Sequence, residues 1–378
     1  MSKTNSNEAL QPCQEETAIP TVTGTGEILS DTTSTGRKAD WKKYKLQNRN
    51  LVEMYRQINN MRFLGVPDVR DNSDDPSPLV SGKFLGRLQD CSTFLLFARN
   101  EAQDLKLKSG NFCHARFCPT CNWRRSLKQF HDTSAQVSWI RQQHGDVKFL
   151  FLTLTVKNCP NGTPYLRDTM KLLSDSFLKL INPMRLRDKN NKLLHKFRRS
   201  LLGTSRAMEI TFHPEQKDLE PFVKGAFHPH LHVILAMQPN YYLKQYYLTQ
   251  KDFQTLWKQV LGVSYDPIVD IRELKDAKGI AEASKYSVKL SDVISQSALT
   301  GDNPEIDDTN LLALEHLHEA TQKKQLLTLS GCFKAARAAL KQQEHENDLI
   351  HVGDDTVTFD PVEYVLFCWK AHDMNYIC

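Results

Sequence analysis

The chain has 378 residues, 40% of them hydrophobic and 25% charged; this composition fits one large globular domain or two smaller ones and excludes a collagen-like or wholly disordered chain. No apolar stretch reaches the roughly 20 residues of a membrane helix and no secretory signal begins the chain, so we expect a cytoplasmic protein without a membrane partner. The net charge of +5 conceals an asymmetry, because residues 1–40 carry −3, residues 301–378 carry −8, and the middle therefore carries +16. A basic block of this size predicts a phosphate-rich partner such as nucleic acid.

From the N-terminus onward, the sequence pattern predicts an α+β protein. Residues 1–40 are rich in Thr, Ser, Glu and Gly and are expected to be disordered. A helix and loop (41–80) and a cysteine-rich segment (81–135) precede a region of alternating strands and helices (145–300), which predicts one sheet with helices on one face. An acidic, mainly helical region (301–378) ends the chain. The predicted strands lie near 147–156, 206–212, 230–237 and 267–273, and the predicted helices near 41–64, 166–181, 249–261, 276–297, 309–325 and 330–345.

Four of the nine cysteines are spaced like metal ligands. Cys118 and Cys121 are two residues apart, so both thiolates can bind one tetrahedral ion, and Cys113 with Cys91 completes a four-sulfur structural zinc site. Two alternatives remain open at this point: His114 in place of Cys91, or four ordinary buried thiols. The basic residues after this knuckle suit a phosphate-contacting face; they are Arg124, Arg125 and Lys128.

A pair of histidines enters a predicted buried strand. The alternation of a strand points His230 and His232 to one face, while the apolar residues between and after them point to the other. We expect the pair to bind a metal ion, with Glu209 of a neighbouring strand as the third ligand; the alternative for Glu209 is an exposed residue of an edge strand. Two imidazoles and one carboxylate leave coordination positions open, so the ion could polarise a phosphate oxygen.

A third motif surrounds Tyr286. If this stretch is helical, Glu282, Tyr286 and Lys289 share one face, because they are four and three residues apart. A phenol with a pKa near ~10 is a poor nucleophile, but a metal-polarised phosphodiester and a nearby cation can stabilise the developing charge. The alternative is an ordinary amphipathic helix with an exposed Glu–Lys pair.

A very basic stretch between the first two predicted strands is a candidate track for a DNA backbone, with a merely solvated surface as the alternative. Its charged residues are Arg185, Arg187, Lys189, Lys192, Lys196, Arg198 and Arg199.

Three motifs, in this order along the chain, resemble those of rolling-circle plasmid replication initiators of the HUH endonuclease superfamily, in the Gram-positive-type group with a single catalytic tyrosine. The motifs are Phe-Leu-Thr-Leu-Thr (151–155), His-Pro-His-Leu-His-Val (228–233) and Lys-Tyr-Ser-Val-Lys (285–289). The cysteine segment ending at residue 126 is also typical of that group. The likeness covers residues 81–300 well and the C-terminal region weakly.

The resemblance implies a nuclease fold with a central antiparallel sheet and a defined reaction. Tyr286 would attack one phosphodiester of a single-stranded or supercoiled plasmid origin, become joined to the DNA 5′ end and free a 3′-hydroxyl. His230, His232 and Glu209 would hold Mg²⁺ or Mn²⁺, and Glu282 would act as a general base during termination.

In the same resemblance, Lys285 and Lys289 would contact phosphate or stabilise the phenolate. A host helicase and DNA polymerase are implied as partners, and a homodimer is compatible with it. Two other interpretations are a transposase of the same superfamily and a non-catalytic, zinc-dependent DNA-binding regulator.

Overall fold

Two antiparallel sheets organise the fold in the computed structural model of the chain. The structure describes residues 26–30, 39–64, 77–187, 190–216, 219–220, 224–275, 279, 289–300, 304–342, 347–352 and 359–378. The described helices are α1 (Trp41–Phe63), α2 (Gly82–Asp90), α3 (Pro119–His144), α4 (Thr163–Ile181), α5 (Lys192–Ser200), α6 (Gln250–Leu261), α7 (Gln296–Leu299), α8 (Asp308–Thr321) and α9 (Cys332–Ala339). The described strands are β1 (Phe94–Arg99), β2 (Leu105–Gly110), β3 (Lys148–Thr155), β4 (Cys159–Pro160), β5 (Leu201–His213), β6 (Ala226–Met237), β7 (Val269–Glu273), β8 (Leu327–Gly331), β9 (Glu363–Lys370) and β10 (Asn375–Ile377).

The central sheet has the strand order β7-β3-β6-β5-β8, with β4 paired to β6, and every pair is antiparallel. Its register places Glu209 opposite His230, and it places both Thr153 and Ala207 opposite His232. Paired residues point to the same side of a sheet, so these side chains share one face. The predicted α+β class with an antiparallel sheet is confirmed.

The two faces of the central sheet are covered unequally. On one face, Leu152, Met208 and Val233 belong to a core shared with α1, α4, α6 and α8, and each such apolar side chain contributes about 1.5–3 kcal/mol on burial. On the other face, Phe149 and Ile234 pack with α3 and α9. Helices therefore cover both faces rather than the one predicted. The remainder of the second face carries the His230 and Glu209 side chains.

The second sheet joins the two ends of the described chain. Its order is β10-β9-β1-β2, so the last strands pair with the first strand of the cysteine-rich segment. The sequence predicted two helices in the C-terminal region, and α8 and α9 match them. The strands β8, β9 and β10 were not predicted. Their buried side chains, such as Val365 and Phe367, find their core only through this distant pairing.

The predicted long helix over 276–297 differs from the structure where it can be compared. Residues 276–278 and 280–288 lie outside the described residues. From Lys289 onward the prediction is wrong, because Lys289 is extended and a 3₁₀ turn (Leu290–Asp292) and the short α7 follow. Ser295 accepts a hydrogen bond from the backbone N–H of Ala298 and so starts a new helix at this point.

Candidate active site

Two imidazoles and one carboxylate converge on the open face of the central sheet. Nε2 of His230 lies 3.2 Å from Nε2 of His232, and Oε2 of Glu209 lies 3.3 Å and 2.5 Å from these two nitrogens. The residues come from neighbouring positions of β5 and β6, whose pairing is fixed by the apolar side chains on the opposite face. The grouping predicted from the alternation of the sequence is thus found in the structure.

Contacts on the outer side of each ring orient the two histidines. Nδ1 of His230 donates to the carbonyl oxygen of His228 (3.1 Å), and Nδ1 of His232 lies 3.2 Å from the hydroxyl of Thr153. The ring of Phe151 stacks on His232 at 5.1 Å between centroids. The contact of Nδ1 with a carbonyl oxygen keeps a proton on Nδ1 of His230, so its Nε2 is the nitrogen that can bind a metal ion.

Charge within the cluster favours ionised Glu209. Burial opposes ionisation of this carboxyl, but hydrogen bonds from His230 and His232 outweigh burial and hold its pKa well below the ordinary value. The adjacent His228 behaves differently: burial, with smaller contributions from His230 and His213, lowers its pKa to about 4. His228 is neutral at pH 7, and its Nδ1 donates to Oδ1 of Asn158 (2.5 Å).

The spacing of the three ligand atoms fits one divalent cation. Bonds of about 2.1 Å at right angles separate neighbouring ligands by about 3.0 Å, as in octahedral Mg²⁺ coordination. The three observed separations, 2.5, 3.2 and 3.3 Å, lie on either side of that value. Two imidazoles and a carboxylate also suit Mn²⁺ and leave positions for phosphate oxygens.

The segment that follows the tyrosine motif contacts the strand that carries Glu209. Glu282, Lys285 and Tyr286 are outside the described residues, but the 3₁₀ turn directly after them contacts β5. Burial and the nearby charge of Glu209 raise the pKa of Asp292, and the cation of Lys289 opposes this shift. The chain leaving the tyrosine motif is therefore within electrostatic range of the candidate metal ligands.

The four predicted cysteine ligands form a second cluster. The Sγ atom of Cys91 lies 3.5 Å from those of Cys118 and Cys121, and Sγ of Cys113 lies 3.7 Å from that of Cys121. Tetrahedral zinc with bonds of about 2.3 Å separates its sulfurs by about 3.8 Å, whereas a disulfide needs about 2.05 Å. The four thiols are free and buried, and their geometry fits one tetrahedral ion. His114 is not in the group.

Backbone and cationic groups surround the thiols. The backbone N–H of Cys113 donates to Sγ of Cys91, and that of Ala115 donates to Sγ of Cys113, both at 3.4 Å. The buried ammonium of Lys45 donates to the carbonyl oxygens of Cys91 (2.6 Å) and Gln89 (2.9 Å). The two backbone N–H donors and the nearby positive charge of Lys45 favour thiolates, which are the metal-binding form of cysteine.

The structure corrects one of the three predicted phosphate contacts beside the cysteines. Arg124 is only 5% exposed, and its guanidinium donates to the carbonyl oxygens of Leu349 and Ile350 while lying 5.6 Å from the ring centroids of Trp41 and Trp123. Its role is to hold the C-terminal segment. Partly exposed Arg125 and Lys128 line a groove described below.

The predicted basic track lies on the side of the central sheet opposite the metal ligands. Leu194 and Phe197 of α5 pack in the core on the face of the central sheet opposite His230. Arg198 donates to the carbonyl oxygens of residues 179, 180, 182 and 186, so it caps the end of α4 rather than facing a phosphate. Met184 to Arg187 and Arg199 are largely exposed, and Lys189 lies outside the described residues.

Two groups at the site were not assigned from the sequence. Thr153 belongs to the Phe-Leu-Thr-Leu-Thr motif and pairs with His232 across β3 and β6. Its place beside His232 could be predicted from strand alternation once the pairing of these strands is known. Asp292 is three residues beyond the tyrosine motif, and its electrostatic interaction with Glu209 depends on the turn that replaces the predicted helix.

Comparisons with known proteins agree on one family. Residues 104–377 match a family model described as "Replication protein". The chain is 31% identical over 373 residues to "Protein rep" of Bacillus amyloliquefaciens, covering 93% of this chain and 97% of that protein. It is 30% identical over 364 residues to "Protein rep" of Lactiplantibacillus plantarum (93% and 98%) and 28% identical over 358 residues to "Protein rep" of Streptococcus pneumoniae serotype 2 (93% and 95%). No solved structure matches the fold.

None of the helices in the described part of the chain combines the length and the apolar character needed to cross a bilayer.

Proposed function

This chain belongs to the replication protein family, the plasmid replication initiators that its motifs resemble, and we propose that it starts rolling-circle replication by nicking one strand of the plasmid origin. The main support for this proposal is that His230, His232 and Glu209 converge on an open face of the central sheet. The turn that follows Tyr286 lies against the same strand as Glu209.

In the proposed reaction Tyr286 is the nucleophile. Tyr286 loses its phenol proton, and its oxygen attacks the phosphorus to form a phosphotyrosyl bond to the DNA 5′ end. The bond from phosphorus to the 3′ oxygen breaks, and the departing oxygen gains a proton to become a 3′-hydroxyl. His230, His232 and Glu209 would hold a divalent cation, which would polarise the phosphate as a Lewis acid. The ammonium groups of Lys285 and Lys289 stabilise the phenolate and the phosphate.

The products define the partners of the reaction. The 3′-hydroxyl primes a host DNA polymerase, and a host helicase separates the strands ahead of it. The activity belongs in the cytoplasm, where plasmid origins are found. Similarity to proteins named "Protein rep" favours replication over transposition. A non-catalytic regulator would leave the converged imidazoles unused.

The test of the nucleophile uses supercoiled plasmid carrying the candidate origin, with Mn²⁺ or with EDTA. We expect the natural chain with Mn²⁺ to yield nicked circles and a protein-linked 5′ end. Tyr286→Phe should abolish both, because it removes the attacking oxygen. Tyr247→Phe, at an exposed tyrosine of the described chain, is the matched control. A covalent adduct in Tyr286→Phe would refute the assignment.

Termination provides a separate test. A carboxylate at Glu282 activates water to hydrolyse the second junction and so prevents repeated initiation. Glu282→Ala should nick at the natural rate but accumulate products longer than one plasmid unit in a replication extract. Loss of the first nick in this variant would contradict a role restricted to termination.

The four-cysteine cluster is assigned to one structural Zn²⁺. Support comes from four free, buried sulfurs with separations of 3.5–3.7 Å and from two backbone N–H donors to them. The ion would join the end of α2 to the start of α3, because Cys91 follows α2 and Cys118 precedes α3.

A further inference from the structure

A groove of ≈ 460 Å³ separates α3 from the β8 edge of the central sheet. One wall is a face of α3 on which Arg125, Lys128 and Gln136 recur at helical spacing. The chain entering β8 forms the other wall, and α9 with the residues after it closes one end. This groove belongs neither to the His–Glu cluster nor to the cysteine cluster.

The lining of the groove is strongly basic. Among the described lining residues Asp132 is the one carboxylate, and it is 3.7 Å from the ammonium of Lys128. The excess of cationic over acidic side chains in this described lining favours an anionic ligand. The cationic residues of the lining are Arg116, Arg125, Lys128, Lys323, Lys324 and Arg337.

The interior of the groove carries neutral polar groups. Thr133, Gln136 and Ser205 line it and are at most 6% exposed. The Gln136 amide donates to Oε1 of Gln342 (2.6 Å), and its own Oε1 is buried and has no hydrogen-bond partner in the described part of the chain. A buried acceptor without a partner is costly, so this atom favours a ligand with N–H donors. The N–H groups of nucleobases, such as N3–H of thymine, provide such donors.

The groove leads to the candidate metal ligands. Ser205, Ala207 and Glu209 alternate along β5 on one face, and Leu329 and Leu327 of β8 pair with the first two of them. Ser205 and both leucines line the groove. Four residues of a strand span about 14 Å, so the groove opens about that far from the Glu209 carboxylate.

We propose that this groove binds the backbone of single-stranded DNA on one side of the nick and guides it to the His–Glu cluster. The inference rests on the proposed nicking function and adds the route of the strand. A cationic slot with polar groups inside is the arrangement that tracks a single strand. Duplex recognition instead uses a helix that protrudes into the major groove, whereas α3 here forms a wall of a concave slot.

Exposed Lys323 and Lys324 are the residues to change. Arg116 donates to the carbonyl oxygen of Lys324, and Arg125 donates to those of His114 and Ala115. Replacing either arginine would therefore also disturb the backbone at the edge of the groove. The two lysine side chains are solvent-exposed, and their removal leaves those backbone contacts in place.

The experiment measures the binding of fluorescein-labelled oligo(dT) by anisotropy in EDTA over a range of salt concentrations. Each lost phosphate contact lowers the slope of log affinity against log salt by about 0.7 for a single strand. The double variant Lys323→Ala/Lys324→Ala should therefore reduce the slope by about 1.4 and weaken binding roughly tenfold near 0.15 M salt. Lys171→Ala/Lys179→Ala removes the same charge from exposed positions of α4, in the opposite layer, and is the matched control.

Two results would overturn the proposal: natural affinity and slope in the groove variant, or an equal loss in the control. A loss confined to a duplex probe would overturn it in favour of duplex binding. The adduct assay separates this proposal from the nicking function. If the natural chain forms adducts but the groove variant binds oligo(dT) normally, the proposed DNA route is refuted and the nicking function is retained. If the groove variant loses oligo(dT) binding but the natural chain forms no adduct, the nicking function is refuted.

Discussion

The hydroxyl of Thr153 lies 3.2 Å from Nδ1 of His232, on the side of the ring away from Glu209. When Nε2 binds a cation, Nδ1 carries the proton and donates it to this hydroxyl. Phe151 restrains the same ring by stacking at 5.1 Å. The ligand geometry of His232 thus depends on two neighbours from β3 that do not touch the cation site themselves.

Replacing Thr153 by valine keeps the volume of the side chain and removes the hydrogen bond to His232. Loss of such an orienting partner typically weakens metal binding about 10–100-fold, and we expect a loss in this range for Mn²⁺, measured by titration calorimetry or electron paramagnetic resonance. Thr204→Val, at a position of β5 whose hydroxyl contacts Ser330 instead, is the matched control. Unchanged Mn²⁺ affinity in Thr153→Val would contradict the orienting role.

Polar side-chain contacts hold helix α1 against helix α8. The hydroxyl of Tyr55 is 2.7 Å from Nδ1 of His318, and Arg62 pairs with both Glu315 and Glu319. Burial lowers the pKa of His318 to about 4, with smaller and opposing effects from nearby charges. This histidine is neutral in the folded chain at pH 7.

The contact of His318 predicts a pH dependence of stability. Because the pKa is lower in the folded chain than the unperturbed value of about 6.5, the unfolded chain binds more protons between pH 6.5 and 4, and stability falls as the pH falls through this window. We expect a loss of at most about 2 kcal/mol from pH 7 to pH 5, measured by urea unfolding. His318→Gln should show a smaller loss over the same range. An identical pH profile in the two proteins would contradict the assignment.

The elements that the sequence predicted are those whose signal is local. β3 and β6 are apolar runs with alternation, and α6 begins at a Thr249–Asp252 capping box, so their positions follow from neighbouring residues. β8 is five residues ending in Ser-Gly, and β9 pairs with β1 across most of the chain. No window of sequence contains those partners, so these strands could not be predicted.

In the candidate site, too, some features follow from neighbouring residues in the sequence and others depend on distant parts of the chain. The alternation around His230 and the two-residue spacing of Cys118 and Cys121 specify both clusters locally. The burial of Arg124 does not follow from its position beside the cysteines, because Trp41 and the carbonyl oxygens of Leu349 and Ile350 come from the two ends of the chain.

At the scale of the whole molecule, the cysteine cluster, the second sheet and the basic groove share one helix. α3 begins at Pro119, between the ligands Cys118 and Cys121, and its later turns form a wall of the groove. Tyr376 of β10 donates to the carbonyl oxygen of Ser92, next to Cys91, at 2.7 Å. An ion bound by the four sulfurs would therefore fix the helix that the groove depends on.

Replacing Cys118 by serine should remove that restraint, because three thiolates and a hydroxyl hold zinc weakly. We expect zinc content to fall from one equivalent per chain to a small fraction by elemental analysis, with the thermal midpoint lower by several degrees. Affinity for oligo(dT) should also fall, since the first turn of α3 loses its anchor. Cys159→Ser, at a buried thiol outside the cluster, should keep its zinc. Full zinc occupancy in Cys118→Ser would contradict the four-sulfur site, and natural oligo(dT) affinity in a zinc-free Cys118→Ser would show that the groove does not depend on the ion.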